Sequence, residues 1–181
     1  MNAFVFLADG FEETEAIAPI DVMRRAGFNV TTVSIMGRKQ VKGSHGINVE
    51  ADALFEQTDF SAAGMLVLPG GMPGTKNLAA HEGLAKLLTV AAGKDVILGA
   101  ICAAPSVYGG LGLLKGERAT CYPGFEEYLT GAEVKKEPVV VSNQFVTSRG
   151  AGTAMRFGLA LVAKVKGQSF ADELAAAMEF K

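Results

Sequence analysis

The sequence predicts an α/β sandwich with a mostly parallel sheet covered by helices on both faces. Three observations carry that expectation. Short apolar, β-branched runs alternate with helical patterns, as parallel strands joined by crossover helices require. The runs are short and rich in β-branched residues, which suits strands covered on both faces. Each run also ends in a loop rich in Gly, Asp, Pro or Cys, and the carboxyl ends of such strands are where open α/β sheets bind ligands.

Strands are expected at Ala3 to Ala8, Asn29 to Ile35, Met65 to Leu68 and Val96 to Ile101. Lys39 to Ala51, with Gly43 and Gly46 between Val41 and Ile47, reads as a small hairpin added to the main sheet. Val139 to Ser142 and Gln144 to Ser148, broken at Asn143, read as a second hairpin. The helical pattern of Thr153 to Lys166 is apolar on nearly every side and predicts a buried helix. Phe170, Leu174 and Met178 follow at helical spacing behind Ser169 and Asp172, a capping pair for a closing amphipathic helix.

The 181 residues suffice for one domain, 1–181, with a core that needs no disulfide or metal. Apolar residues make up 49% and charged residues 20%, so the chain is expected to fold throughout. A net charge of −2 with scattered basic residues offers no footprint for nucleic acid. No apolar run approaches the ~20 residues of a membrane span, and the opening run lacks a basic flank. The two cysteines, Cys102 and Cys121, are too few for a secreted framework, so free thiols in the cytoplasm are expected. With only His45 and His81, and neither CxxC nor HExxH spacing, no metal site is expected.

Cys102 stands directly between a hydrophobic strand and Pro105, which suits the first turn of a helix. A helix amino terminus favours thiolate over thiol, so this position predicts a pKa well below the ~8.5 of free cysteine. A buried structural cysteine is the other reading. Gly70 and Gly71 after Leu68 either form an ordinary tight turn or let backbone N–H groups approach a developing oxyanion. Glu12, Glu13 and Glu15, with Asp9 ahead, are either a solvated helix start or a source of one carboxyl in the crevice. Pro19 bears on this because it removes the hydrogen bond to the Glu15 carbonyl, so the helix starts near Glu15 or is distorted there.

The order DGFEETEA, PIDVMRRAG, LPGG, AICAAP and SRGAGTA resembles the ThiJ/PfpI superfamily across nearly the whole chain, and Asp21 to Gly27 points to its DJ-one branch. The resemblance implies a flavodoxin-like three-layer sandwich and a reactive Cys102 on a nucleophile elbow. It also implies a protonated Glu15 that donates to the thiolate or its oxidised form, and a pocket lined by Gly70, Gly71 and the Ala103 amide. No cofactor is implied. The activity implied is conversion of glyoxal or methylglyoxal to a hydroxy acid, with deglycation by the same thiol chemistry; the alternative is an oxidative-stress sensor or chaperone-like protein whose Cys102 stops at sulfinic acid. The branch forms homodimers, and Arg25 and His45 match the basic positions that reach the partner's pocket. Tyr122 stands where the family often has a histidine, which removes a Cys-His dyad unless His45 or His81 arrives from elsewhere, and so disfavours proteolysis. Cys121 reads as a semi-buried bystander.

Overall fold

The computed structural model describes residues 1–180. In chain order the elements are β1 (Asn2–Leu7), α1 (Glu13–Arg25), β2 (Asn29–Ser34), β3 (Gln40–Lys42), β4 (Asn48–Glu50), β5 (Ala53–Leu54), β6 (Met65–Leu68), α2 (Gly74–Ala80) and α3 (Glu82–Ala92). They continue with β7 (Ile97–Ile101), α4 (Pro105–Gly110), β8 (Arg118–Ala119), β9 (Glu133–Val134), β10 (Val139–Ser142), β11 (Phe145–Ser148), α5 (Ala154–Lys166) and α6 (Gln168–Ala177).

The main sheet has seven strands in the order β10-β11-β7-β6-β1-β2-β5. All neighbours are parallel except β10 and β11, which form the expected antiparallel hairpin with Asn143 at positive φ in its turn. Side chains of β1 alternate between two cores, as a strand's period of two demands. Ala3, Val5 and Leu7 join the core under α1, α5 and α6. Phe4 and Phe6 join the one under α2, α3 and α4. Burial on both faces explains why β1 and β6 read as unbroken apolar runs. The expected flavodoxin-like sandwich is present.

Sheet order reverses beside β1: β2 lies on one side and β6, then β7, on the other. Carboxyl ends of strands diverge into different crossovers there, which opens a crevice. The residues after β1, β6 and β7 are Asp9 to Glu15, Pro69 to Gly71 and Cys102, so the three sequence signals converge by topology alone.

Four expectations need correction. The Lys39 to Ala51 hairpin forms, but β3 and β4 make a separate two-stranded sheet, because the short β5 takes the edge position beside β2. Helix α6 begins at Gln168, ahead of Ser169; its cap residue is Gly167, and Asp172 accepts from the Gln168 side chain (2.7 Å) instead of capping. Helix α5 is buried along one face only, through Phe157, Gly158, Leu161 and Val162, while Met155 and Leu159 stay partly open. Cys121 is fully rather than partly buried. No helix among the described residues is long and apolar enough to cross a membrane.

Candidate active site

Helix α1 positions the carboxyl. It starts at Glu13, two residues before Glu15, because the Glu12 side chain caps it by accepting from the Glu15 N–H (2.7 Å). It then runs on through Pro19, whose ring leaves the Glu15 carbonyl without its helical donor. Gly158 of α5 permits a close approach here, since a Cβ there would sit 3.0 Å from Pro19 Cα and from Val22 Cβ. Packed this way, Glu15 is 1% exposed and is turned into the crevice.

The thiol comes from the other side. Cys102 adopts φ 64° between β7 and α4, a left-handed conformation that costs a non-glycine residue on the order of 1–3 kcal/mol. Two backbone bonds hold it: its N–H donates to the Ser148 carbonyl (2.9 Å), and its carbonyl accepts from the Tyr122 N–H (2.8 Å). Pro105 occupies the first turn of α4, as expected. Strain of this kind persists only where surrounding contacts over-determine it.

Gly70 is where the two meet. Its N–H donates to Glu15 Oε2 (3.0 Å). A Cβ at Gly70 would lie 2.5 Å from that oxygen and 2.6 Å from Cys102 Cβ, so only glycine fits between carboxyl and thiol. Glu15 and Cys102 are hydrogen-bonding neighbours, and the amides of Gly71 and Ala103 face the sulfur. Gly71 sits at φ 93° against the Glu12 backbone, where a side chain has no room. The structure thus brings together Cys102, Glu15, Gly70, Gly71 and Ala103.

Electrostatics here differ from the helix-start expectation. Burial pushes Glu15 up to about 7; the bond to Cys102 opposes the rise and the Glu12 charge adds to it. Cys102 is pushed up to about 12, by burial first and then by the Glu15 carboxylate. Helix α4 is only six residues long, too short to offset a buried carboxylate next to the sulfur. The Gly71 and Ala103 amides act in the opposite direction, favouring charge on sulfur. Two weak acids in contact make a pair that holds a single proton between about pH 7 and about pH 12, where it can pass between them.

Neither histidine joins this pair. His81 caps α3, its Nδ1 accepting from the Leu84 N–H (3.0 Å). His45 is bound to Glu13 through Nδ1 (2.9 Å) and through its backbone N–H (2.8 Å). Burial would raise Glu13, but the His45 side chain and the amides of His45 and Ile47 outweigh it and hold the carboxyl at about 2. His45 is raised in turn by that bond. Glu12, Glu13 and His45 place three ligand atoms within 4.8 Å of one another, a grouping that their separation in sequence conceals. Protein donors already occupy it: Glu13 accepts from His45, Ile47 and Ser44, and Glu12 from Glu15. Arg25 is paired with Asp21 (2.7 Å) on the exposed last turn of α1.

Sequence reasoning missed several supporting groups. Ser148 anchors the Cys102 amide, Glu12 is the cap that orients Glu15, and the Ala151 amide also bonds Glu15. Tyr122 closes one side of the site: a Cβ on Gly150 would lie 3.3 Å from its ring and 3.9 Å from Glu15 Oε1. The glycine-rich SRGAGTA run after β11 was the available signal, since such a run at a strand's carboxyl end marks close backbone approach.

Comparison with known proteins agrees with this architecture. A family model described as the DJ-1/PfpI family matches residues 1–164. The chain is similar to DJ-1 homolog B of Arabidopsis thaliana, 38% identical over 163 residues that cover 90% of the chain. It spans only 37% of that protein and 44% of the Arabidopsis homolog A. A Caenorhabditis elegans protein named glutathione-independent glyoxalase DJR-1.2 is 30% identical over 165 residues, covering 90% of this chain and 87% of its own. The solved structure of oxidized Toxoplasma gondii DJ-1 superposes with a TM-score of 0.95 at 33% identity, covering 99% of this chain and 98% of that one.

Proposed function

This chain belongs to the DJ-1/PfpI family, and on that premise we propose that it is a cofactor-free thiol catalyst that converts glyoxal or methylglyoxal to the hydroxy acid. The observation that carries the reading is the Glu15 carboxyl, raised to about 7, in hydrogen-bonding contact with the Cys102 thiol over Gly70. A base near neutrality is matched to moving protons at physiological pH.

As the sulfur adds to the aldehyde carbon, Glu15 takes the thiol proton and the carbonyl π electrons move to oxygen. The Gly71 and Ala103 amides stabilise negative charge in the same place. The oxygen is then protonated, giving a hemithioacetal. Glu15 next removes the proton on the former aldehyde carbon, leaving an enediolate. That proton returns to the neighbouring carbonyl carbon while the hydroxyl proton of the first carbon passes to the oxygen of the second, and the first carbon keeps its oxygen as a carbonyl. One carbon is oxidised, the other reduced, and the product is a thioester of the hydroxy acid. Water cleaves it, releasing the acid and restoring the thiol. Deglycation of adducts would use the same additions. The printed name of the Caenorhabditis elegans relative supports this class of substrate. With His45 and His81 engaged elsewhere, a Cys-His protease has no support.

Turnover of methylglyoxal by wild type, Cys102→Ser and Glu15→Gln tests the reading. Loss of activity in the first variant and a fall of ~10² or more in the second are expected. Activity that survives Cys102→Ser, or is undiminished in Glu15→Gln, overturns it.

A second reading is a redox sensor in which peroxide converts Cys102 to sulfinic acid. The Gly71 and Ala103 amides favour it, because they suit any anionic sulfur. Negligible wild-type turnover together with a sulfinate mass at low peroxide would select it. For assembly the proposal is a homodimer with Arg25 and His45 turned to the partner. Support comes from an apolar hollow bordered by Ile17, Ile47 and Met155, with Ile17 44% and Ile47 59% exposed. A cytoplasmic location is proposed from the free cysteines.

A further inference from the structure

We propose that the cleft bordered by Met72, Thr75, Ala79, Ser106, Phe125 and Tyr128 is the arm-binding subsite of the Cys102 centre, and that it directs the protein to aromatic α-oxoaldehydes of the phenylglyoxal class. The inference rests on the aldehyde reading above and names the substrate's other half.

Continuity with the thiol is the first argument. Three segments frame Cys102, and each runs directly into the cleft. Gly71, whose amide faces the sulfur, is followed by Met72 and by α2, which carries Thr75 and Ala79. Ser106 lies one helical turn beyond Cys102, and its hydroxyl donates to the Ala103 carbonyl (2.6 Å). The Tyr122 N–H holds the Cys102 carbonyl, and the Phe125 N–H in turn donates to the Tyr122 carbonyl (3.1 Å), which sets Phe125 and Tyr128 at the far wall. The cleft thus begins at the residues next along the chain from those that hold Cys102, which is the basis for placing the substituent of a sulfur-bound carbonyl carbon there.

Size and chemistry supply the second argument. The cleft encloses ≈ 420 Å³, within the range of small-molecule sites and far more than the methyl group of methylglyoxal needs. Phe125 and Tyr128 lie with ring centroids 5.8 Å apart at 49°, a tilted pair suited to receiving a flat ring. Met72 is 41% and Tyr128 51% exposed, so the apolar surface an arm would cover is now in water.

The test compares phenylglyoxal with methylglyoxal as substrates of wild type, Phe125→Ala and Ala79→Phe. The first variant removes the aromatic wall, and the second fills the cleft from an exposed helix position that folding tolerates. Wild type is expected to favour phenylglyoxal in kcat/KM, and that preference should fall by about tenfold or more in each variant, the scale of losing or blocking apolar contacts in a pocket. A preference unaltered in both overturns the proposal. Binding separates it from the aldehyde reading. Mandelate and lactate, the hydroxy acids these two aldehydes would yield, are titrated into Cys102→Ser and followed by amide NMR. Mandelate should shift Ser106, Phe125 and Tyr128 at concentrations where lactate does not. If wild type turns over neither aldehyde, the aldehyde reading fails while this pattern keeps the subsite; mandelate that leaves these amides unmoved removes the subsite whatever the turnover.

Discussion

Replacing Glu15 by Gln should make the protein more stable at neutral pH and leave it nearly unchanged in acid. The magnitude follows from the carboxyl's rise from 4.5 to about 7, which burial causes first of all. Between those values the folded state holds a proton that the unfolded chain has released, so stability falls as pH rises. The slope is about 1.4 kcal/mol per pH unit, or about 3 kcal/mol across the window, fully lost above the folded value. Glutamine carries no charge and escapes this penalty. Its carbonyl oxygen can still accept from the Gly70 N–H, now 3.0 Å from Oε2, so the variant forfeits little in exchange. Urea unfolding of both proteins from about pH 4 to about pH 8 measures the difference, with the range kept below the titration of an ordinary cysteine. The stability gap should widen with pH by about 3 kcal/mol in the variant's favour. Parallel curves would refute the argument, because they would mean that Glu15 ionises in the folded protein as it does in the unfolded chain.

Further expectations concern neighbouring groups. Iodoacetamide should alkylate Cys102 faster in Glu15→Gln than in wild type near neutral pH, about tenfold for each unit by which the thiol pKa falls, since the adjacent carboxylate is gone; mass spectrometry of quenched samples follows it, and a slower reaction would contradict the assignment. Gly70→Ala should lower stability by about 1–3 kcal/mol and abolish thiol-dependent turnover, because its Cβ would meet Glu15, Cys102 and the Ile101 carbonyl at once; chemical denaturation and activity measure the two losses. His45→Ala should destabilise the protein most in acid. A His45 raised by Glu13 contributes stability that is present below its unfolded pKa and lost as pH rises through the folded one, so melting curves of variant and wild type should converge as pH rises above the ordinary histidine range. Sedimentation should give about twice the chain mass, and Ile47→Asp should shift it toward the monomer.

Much of the architecture could be read along the chain because the physics behind it is local. Strands β1, β6 and β7 announce themselves as unbroken apolar runs, since a strand covered on both faces has no water-facing positions to alternate with. The residues Cys102, Glu15, Gly70 and Gly71 were each visible at a strand end, where a parallel sheet opens its crevice, and the family resemblance assigned them to one pocket. Pairing and charge were decided elsewhere. Whether the Lys39 to Ala51 hairpin joins the main sheet depends on which strand reaches the free edge of β2, and two residues, Ala53 and Leu54, reach it first. Ser169 and Asp172 have a capping pattern, yet the backbone turn at Gly167 starts α6 before either can serve. The thiol shows the limit most clearly. Its position at a helix start argues for a lowered pKa, but that is a property of a few adjacent residues. Its actual environment is set by a carboxyl from 87 positions earlier, brought into contact by the packing of α1 on α5 and across a glycine that leaves no space between them. Proton affinity depends on burial and on the nearest charges, and only the tertiary fold determines which charges are near.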